Sequence, residues 1–329
     1  MKAVVFDQPG GPEVLRLADV DDPPLRDSDV LIQVAAAGVN RADLLQRMGF
    51  YPAPPGASDI LGLEIAGEVA AVGNSVETVG VGDSVMSLVE GGGYAELCAA
   101  PAAQTMRVPP DMDVVQAGGV PEAFITAHDN LFTRGRLEAG EWVLIHGGAG
   151  GVGTAAVQLA RYAGARVIAT AGSEAKLNRS RELGAEHAIN HTTEDFVAVV
   201  RDVTDGHGAN VILDVMGAAY LERNVNVLAT DGRLVIIGLQ GGTQAELDLA
   251  VLSRKRATII ATTLRARPAA QKAAIVKAFR QEVLPALQDG SLKPVVDRVY
   301  PLHAAAEAHR ALQAGDVIGK IVLSTEATQ

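Results

Sequence analysis

Apolar residues in the first 120 positions occur in short runs that alternate with glycine, proline and aspartate. Runs of this kind, bounded by turn residues, are typical of β-strands joined by tight turns. The stretch 41–49, RADLLQRMG, has instead the spacing of a short helix. We therefore predict a β-rich, mostly antiparallel, barrel-like domain over residues 1–120. Its strands are predicted at MKAVVF, DVLIQVAAAGV, IAGEVAAVG, DSVMSL and GYAELCAA.

From about residue 121 the pattern changes, and short apolar runs alternate with longer amphipathic stretches. This alternation is typical of strands joined by helical crossovers, which build a doubly wound parallel sheet. The chain is therefore assigned to the α/β class, with this second domain at residues 121–265. Its strands are predicted at WVLIH, RVIAT, HAIN, NVILDVM, RLVIIGL and ATIIATT.

After residue 265 the pattern predicts a long helix, a strand, a second helix and a last strand. The corresponding sequences are PAAQKAAIVKAFRQEVLPALQDG, VVDRVYPL, AAAEAHRALQAG and GKIVLST. We expect residues 266–329 to return to the first domain and to complete it.

Composition and charge exclude several functional classes. The 329 residues carry a formal net charge of −11, whereas a nucleic-acid groove needs a basic stripe. No run of about 18 apolar residues is present, so no membrane-spanning helix is expected. Residues 1–9 have the pattern of a strand and a turn rather than of a signal peptide. The single cysteine, Cys98, favours a cytoplasmic location, and no activating base in its neighbourhood marks it as a nucleophile.

The nine residues 145–153, IHGGAGGVG, contain five glycines between a predicted strand and a predicted helix. Glycines at the spacing G-x-G-x-x-G in this context are typical of a dinucleotide-binding loop, although a plain tight turn is the alternative. The amides and the dipole at a helix N-terminus attract a pyrophosphate, and glycines let the backbone approach it. The predicted pyrophosphate-binding residues are Gly148, Ala149, Gly150, Gly151, Val152 and Gly153.

The residues after the second strand of this domain select between the two nicotinamide dinucleotides. A site for NADH usually carries Asp or Glu at this strand end, where the carboxylate holds the ribose hydroxyls. Here the strand RVIAT is followed by Ala171, Gly172 and Ser173, and the charge of the nearby Lys176 suits a phosphate. This favours NADPH, with Ser173 and Lys176 near its 2′-phosphate; a solvated lysine on a helix face is the alternative.

Five segments, spread over nearly the whole chain, are similar to one known family. They are GVNRADLLQRMGFYPAPPGASDILGLEIAGEVAAVG, GGGYAEL, IHGGAGGVGTAAVQLA, AGSEAKLNRSRELGA and GDVIGKIVL. They resemble the zinc-independent NADPH:quinone oxidoreductases of the medium-chain dehydrogenase/reductase superfamily, and most closely the branch of p53-inducible quinone oxidoreductase homologues. The resemblance implies a GroES-like catalytic domain, a Rossmann domain and a cleft between them that closes around NADPH. It also implies a homodimer formed through the edge of the Rossmann sheet, near ATIIATTLRAR.

Zinc alcohol dehydrogenases of the same superfamily bind the metal through a cysteine and a Gly-His-Glu segment. In this chain Asn40 stands at the cysteine position and Leu63 at the histidine position. With both ligands replaced, Asp43 and Glu64 cannot hold zinc between them. We therefore expect no metal, and structural roles for these two acids.

The resemblance further implies that Asn40, Tyr51 and Thr126 line the nicotinamide and substrate cleft as catalytic residues. Alternatively, Tyr51 packs on the neighbouring prolines and Thr126 packs inside a helix. His191 stands where the family often has a tyrosine beside the 2′-phosphate, and protonation of its imidazole would strengthen NADPH binding. His146 ends a strand and is expected to be a hydrogen-bonded core residue. Further cofactor contacts are implied at Gly217, Gly238, Leu239 and Lys320.

Three functions remain open from the sequence. The first is the reduction of quinones or related conjugated carbonyls by NADPH, through hydride or one-electron transfer, which needs no metal. The second is the reduction of conjugated ketones or enoyl thioesters, with Tyr51 as the proton donor. The third is a protein that binds NADPH without catalysis.

Overall fold

The computed structural model describes residues 1–325, which form two compact units. The first unit contains residues 1–125 and the chain from Leu264 onward, and the second contains Thr126–Thr263. The last four residues of the predicted segment 266–329 lie outside the described residues. None of the helices in residues 1–325 combines the length and the apolar composition that crossing a bilayer requires.

The N-terminal part of the chain is built mainly from β-strands, as its apolar runs predicted. The strands are β1 (Lys2–Val5), β2 (Arg16–Asp19), β3 (Asp29–Val39), β4 (Glu64–Val72), β5 (Ser84–Leu88), β6 (Leu97–Pro101) and β7 (Thr105–Arg107). The helices are α1 (Arg41–Arg47), α2 (Val114–Ala117) and α3 (Pro121–His128). The boundary between the two units falls within α3.

The second unit alternates strands and helices. Its strands are β8 (Trp142–His146), β9 (Arg166–Ala171), β10 (His187–Asn190), β11 (Ala209–Asp214), β12 (Leu228–Ile236) and β13 (Thr258–Ala261). Its helices are α4 (Gly151–Tyr162), α5 (Glu174–Glu182), α6 (Phe196–Val203), α7 (Leu221–Val227) and α8 (Leu249–Lys255). The chain then adds to the first unit α9 (Ala269–Glu282), α10 (Leu284–Gln288), β14 (Val296–Pro301), α11 (Ala305–Ala314) and β15 (Lys320–Ser324).

A mostly antiparallel sheet forms the centre of the first unit. Its strand order is β14-β15-β3-β4-β5-β7, and β6 also pairs with β3. Strand β3 lies in the middle because its long apolar run supplies Val30, Ile32 and Val34 to the buried core. The final strand β15 pairs antiparallel with β3, with Leu323 opposite Ala37. This pairing places the start of β15, at Lys320, beside the end of β3.

A parallel sheet with strand order β10-β9-β8-β11-β12-β13 forms the centre of the second unit. All of its neighbouring strands pair in parallel, and the six strands predicted from the sequence are those observed. The doubly wound α/β class is thereby confirmed. The strand order reverses between β8 and β11, and ligands of such sheets bind beyond the carboxyl ends of the strands at this reversal.

Three short features of the first unit differ from the prediction. Strand β2 was not predicted because its exposed edge position, paired only with β1, imposes no alternation of apolar and polar residues. Strand β7 was missed because it has only three residues. Within GYAELCAA the regular strand begins only at Leu97, and Ala95 makes an isolated bridge to Ala3.

Candidate active site

The glycine loop joins β8 to α4 at the carboxyl edge of the parallel sheet. A Cβ on Gly148 would lie 2.7 Å from the Cβ of Ala169, and a Cβ on Gly153 would collide with the carbonyl oxygen of Gly147. Gly150 is different, because it is exposed and the nearest atom to its Cβ position is the Gly147 oxygen, 3.4 Å away. Two glycines therefore allow close packing, and the middle one leaves the backbone open to a ligand, the division of roles expected in a dinucleotide loop.

The N-terminus of α4 provides the electrostatics for an anion. The N-cap residue Gly150 has no side chain to cap the helix, and the first turn contains no acidic residue. The amides of the predicted residues Gly151, Val152 and Gly153 form this first turn, while Ala149 is buried under the loop. The positive end of the helix dipole is thus available to a phosphate group.

The end of β9 carries the residues predicted to surround a 2′-phosphate. The parallel pairing of β10 with β9 sets Asn190 beside Ala171, and the backbone N–H of His191 donates to the Ala171 oxygen at 3.1 Å. A Cβ on Gly172 would lie 3.1 Å from Nε2 of His191. Ser173 and His191 are both exposed, and Ser173 is the N-cap of α5.

The first turn of helix α5 carries one basic and one acidic side chain at this end of the sheet. Lys176 is half-buried, three residues beyond the N-cap Ser173. The one carboxylate in the first turn of α5, that of Glu174, accepts a hydrogen bond from Arg181 Nη1 at 3.1 Å. The structure therefore brings Gly172 and His191 together, and Gly172 and Ser173, rather than an acid, follow Ala171 at the end of β9.

The loops after β11 and β12 complete the same edge of the sheet. Gly217 has a φ of +69°, and a Cβ there would lie 2.8 Å from Cδ2 of Leu239. A Cβ on Gly238 would lie 2.8 Å from the Val215 oxygen. The carboxylate of Asp214 accepts from the Gly217 N–H at 2.9 Å and so fixes the turn. Gly217, Gly238 and Leu239 therefore lie together, and Leu239 is 55% exposed.

His146, at the end of β8, is a core residue, as expected. Its Nε2 lies 2.8 Å from Oδ1 of Asn224 and its Nδ1 lies 3.2 Å from Oγ1 of Thr170. Its ring makes edge contacts with Phe196 and Tyr220. Burial lowers the pKa of His146 to about 4, so that the imidazole is neutral at physiological pH.

Asn40, Glu64 and Lys320 form one buried polar cluster in the first unit. The amide of Asn40 donates to Oε1 of Glu64 at 2.9 Å, and Nζ of Lys320 donates to Oδ1 of Asn40 at 2.6 Å. Nζ of Lys320 also lies 2.5 Å from Oε1 of Glu64 and donates to the Val39 oxygen at 3.1 Å. The other carboxylate oxygen of Glu64 accepts from the backbone N–H of Glu122 at 2.8 Å. Both polar atoms of the Asn40 amide, the side chain predicted to touch substrate, are thus hydrogen-bonded, one to Glu64 and the other to Lys320.

Asp43 anchors a second chain of buried polar groups that the sequence did not reveal. Its carboxylate caps α1 through the Asn40 N–H at 2.7 Å and accepts from the hydroxyl of Tyr94 at 3.0 Å. Nε2 of His309 lies 3.2 Å from the same hydroxyl, and Arg47 donates to Nδ1 of His309 at 3.3 Å. Burial raises the pKa of Asp43 to about 6 and, with the charge of Arg47, lowers that of His309 to about 3.

Tyr51 lies in the loop after α1 and is half-buried. The guanidinium carbon of Arg265 is 5.6 Å from the centroid of its ring. Arg265 belongs to the segment ATIIATTLRAR, which the sequence assigned only to a dimer edge. Sequence reasoning did not single out Arg265, a buried charged residue beside Tyr51, since no local motif marks it.

Thr126 lies in α3 with its hydroxyl buried. Oγ1 of Thr126 has no hydrogen-bond partner within the described residues, and its backbone oxygen accepts from Nδ2 of Asn130 at 2.8 Å. A buried hydroxyl is normally paired, so the missing partner of Thr126 is an exception among the described residues.

The positions that correspond to zinc ligands hold groups of a different kind. Leu63 is buried, and the side chain of Asn40 is hydrogen-bonded to Glu64 and Lys320. Among residues 1–325, no three His, Cys, Asp or Glu side chains come close enough to hold a metal ion. Burial raises the pKa of Cys98 to about 12, so its thiol stays protonated.

Comparison with known proteins agrees with this architecture. A family model described as "Zinc-binding dehydrogenase" matches residues 151–279, and one described as "Alcohol dehydrogenase GroES-like domain" matches residues 26–110. The human quinone oxidoreductase is 32% identical over 98% of this chain and 97% of its own length. A polyketide synthase subunit of Mycobacterium tuberculosis, named for phenolphthiocerol and phthiocerol, is 34% identical, and the chain spans 14% of its length.

Two solved structures resemble the chain over nearly all of its length. The Escherichia coli quinone oxidoreductase, solved in complex with NADPH, is 27% identical with a TM-score of 0.89 and covers 98% of this chain and 100% of its own. The CurK enoyl reductase is 28% identical with a TM-score of 0.87 and covers 98% of both chains. By its fold, its two matching domains and its full-length similarity to quinone oxidoreductases, the chain belongs to the medium-chain dehydrogenase/reductase superfamily, in the zinc-independent quinone oxidoreductase type.

Proposed function

We propose that this protein reduces quinones with NADPH. The observation that carries the proposal is the end of β9, where Gly172 and Ser173, rather than an acid, follow Ala171, and where Gly172 lies against His191. An acid at this position would bind the ribose hydroxyls of NADH and repel a 2′-phosphate. Lys176 and His191 supply the positive charge and the hydrogen-bond donors that a phosphate requires.

In this proposal the dinucleotide is held mainly by residues of the second unit. Gly148–Gly153 would hold the pyrophosphate, and Ser173, Lys176 and His191 the 2′-phosphate. Gly217, Gly238 and Leu239 lie at the carboxyl ends of the next strands, where the nicotinamide half is expected. The predicted contact of Lys320 with the cofactor remains part of the proposal, although its ammonium group already contacts Glu64 and Asn40. When bound, NADPH supplies the hydride.

The protein's own residues have to orient the acceptor and bind its oxygen. The unpaired hydroxyl of Thr126 is suited to hold the nicotinamide amide, and Tyr51 to bind an acceptor carbonyl. Asn40 lines the same site in this proposal, in an orientation fixed by Lys320 and Glu64. A quinone accepts electrons readily, so an oxygen-binding donor replaces the metal that a simple carbonyl would need. A homodimer and a cytosolic location are further parts of the proposal, resting on the family resemblance and on the single cysteine.

A second candidate function is the reduction of enones or enoyl thioesters. It is favoured by the similarity to the CurK enoyl reductase and by the phenol of Tyr51, which is a possible proton donor. Tyr51→Phe separates the two functions, because it should abolish enone reduction if the phenol donates the proton. The same change should only weaken quinone reduction, in which solvent can protonate the product.

The test is the loss of near-ultraviolet NADPH or NADH absorbance with a panel of acceptors. The panel contains a para-quinone, an ortho-quinone, a conjugated enone and a simple aldehyde. Quinone-dependent oxidation of NADPH, with NADH much slower, supports the proposal. Turnover of the enone alone favours the enoyl reductase, and NADPH binding without turnover of any acceptor favours the non-catalytic protein.

A further inference from the structure

Arg265 is a buried cation whose terminal nitrogens have no partner. The residue is 4% exposed, and both Nη1 and Nη2 are buried without a hydrogen bond within residues 1–325. An unpaired buried charge is costly, and native structures normally pair it. The arrangement is therefore incomplete unless a ligand supplies an oxygen.

Neighbouring groups hold the guanidinium in place without neutralising it. Nε of Arg265 donates to the backbone oxygen of Glu90 at 2.7 Å. The carboxylate of Glu90 is instead paired with Lys272, which also donates to the backbone oxygen of Arg265 at 3.1 Å. Arg265 is thus fixed at its backbone and at Nε, while both terminal nitrogens remain available.

The other acids near Arg265 are occupied or uncharged. Asp43 accepts hydrogen bonds from the Asn40 N–H and from Tyr94. Burial, reinforced by the charge of Glu64, raises the pKa of Glu122 to about 8, so this carboxyl is protonated at neutral pH. Burial also lowers the pKa of Arg265 itself, against the influence of these acidic neighbours. Both terminal nitrogens of Arg265 can therefore still donate hydrogen bonds to an oxygen atom of a ligand.

The position of Arg265 indicates what that oxygen belongs to. Its guanidinium carbon lies 5.6 Å from the ring centroid of Tyr51, the residue proposed to contact the acceptor. We infer that Nη1 and Nη2 of Arg265 bind the carbonyl oxygen of the acceptor and stabilise the negative charge that develops there. This inference rests on the proposed function and deepens it by naming the group that replaces the metal.

The step balances with the reactants of the proposed function. A hydride adds to the conjugated acceptor, the electron pair moves onto the carbonyl oxygen, and the nicotinamide is left oxidised. A proton from solvent then gives the hydroquinone, or the enol of a reduced enone. The site therefore selects acceptors in which a conjugated carbonyl oxygen takes up the charge, and charge-assisted hydrogen bonds from a guanidinium are suited to this task.

Binding of an unreactive oxygen anion tests the inference without turnover. The probe is 4-cyanophenolate, titrated by calorimetry into the protein with NADP⁺ present, with neutral 4-cyanoanisole as the matched ligand. We expect R265Q to weaken phenolate binding by about tenfold or more, and R265K to lie between R265Q and the wild type. 4-Cyanoanisole should bind the wild type and R265Q equally. The control R256Q removes an exposed arginine that pairs with Asp231, and it should leave binding unchanged.

Kinetics and stability supply the second readout. With a quinone, R265Q should lower kcat by about a hundredfold with little change in KM, as for the loss of one oxyanion donor. Its melting temperature should not fall, because the lost Nε hydrogen bond is offset by removal of an unpaired charge. Phenolate binding that is absent in the wild type or unchanged in R265Q overturns the inference, as does an unchanged kcat. A different pair of results would overturn only the proposed function: the wild type binds phenolate through Arg265 but reduces none of the acceptors.

Discussion

Nζ of Lys320, on the last strand, lies 2.5 Å from Oε1 of Glu64, on β4, and both side chains are almost completely buried. The two residues are far apart in the sequence and are brought together because β15 and β4 flank β3. Asn40 bridges them through both atoms of its amide. Where zinc dehydrogenases have a metal ligand, this chain therefore has an amide held by an ion pair.

The first prediction concerns the stability of this ion pair. Lys320→Met leaves the buried Glu64 carboxylate without a counter-charge, so it should lower the free energy of unfolding by about 3 kcal/mol or more. Glu64→Gln combined with Lys320→Met removes both charges and should recover a large part of the loss. Urea unfolding of the wild type, both single variants and the double variant measures the coupling. Additive effects of the two substitutions would contradict a direct interaction.

A matched pair of glycine substitutions tests the roles assigned within the loop. Gly153→Ala places a Cβ against the carbonyl of Gly147 and should destabilise the protein by about 1–3 kcal/mol. Gly150→Ala places a Cβ at an ordinary van der Waals distance from the Gly147 oxygen and should leave the melting temperature nearly unchanged. It should nevertheless weaken NADPH binding, because the methyl group stands where the pyrophosphate approaches. Fluorescence titration with NADPH and thermal unfolding separate the effect on binding from the effect on stability. If Gly150→Ala binds NADPH as tightly as the wild type, the pyrophosphate does not approach the backbone at Gly150.

Thr126→Val tests whether the buried hydroxyl serves a ligand. Valine has nearly the same shape, and the hydroxyl has no partner within the described residues, so the free energy of unfolding should stay equal or rise. If Thr126 contacts the nicotinamide, kcat/KM for the quinone should fall by about tenfold, the loss of one hydrogen bond. Thr126→Ser, which keeps the hydroxyl, is the control. Loss of stability in Thr126→Val, with unchanged kinetics, would indicate packing inside the helix instead.

The neutral buried histidine His146 makes stability depend on pH. Its pKa is lowered by burial to about 4 in the folded protein, whereas the unfolded chain has the ordinary value near 6.5. The unfolded state therefore binds the additional proton first, and stability is lost as the pH falls below that ordinary value. Between pH 7 and 5 the contribution amounts to about 2 kcal/mol.

The measurement for this prediction is urea unfolding across that pH range, with His146→Gln for comparison. The variant should be less stable at neutral pH and should show a shallower decline on acidification. His309, whose pKa is lowered to about 3 by burial and the charge of Arg47, acts in the same direction and remains in both proteins. Equal slopes in the two proteins would show that His146 does not carry the effect.

The sequence was sufficient to predict those elements whose structure is determined by the local pattern of residues. The six strands of the parallel sheet were identified because short apolar runs alternate with amphipathic stretches along this part of the chain, although β10 and β13 are only partly buried. The glycine loop was identified because its glycines stand at the spacing G-x-G-x-x-G between a strand and a helix. By contrast β2 lies at an exposed edge and has no alternation of apolar residues to reveal it.

The buried polar residues that the sequence analysis did not identify depend on contacts that no local pattern encodes. Tyr94 meets Asp43 and His309 across 51 and 215 residues of sequence. The sequence around Arg265 predicts only the end of a strand. The residue is distinguished by its burial and by its unpaired terminal nitrogens, which only the structure reveals. Positions of this kind follow from tertiary packing, which places elements from both ends of the chain around one core.

The measurement that tests the central claim most directly is the affinity of NADPH and NADH for the wild type and for Ser173→Asp. The wild type should bind NADPH at least about tenfold more tightly than NADH, since a 2′-phosphate contacts charged donors. Ser173→Asp places an acid at the tip of β9 and should reverse the preference with little loss of stability, because Ser173 is exposed. Equal affinities in the wild type, unaffected by Ser173→Asp, would contradict the assignment of this strand end to the 2′-phosphate.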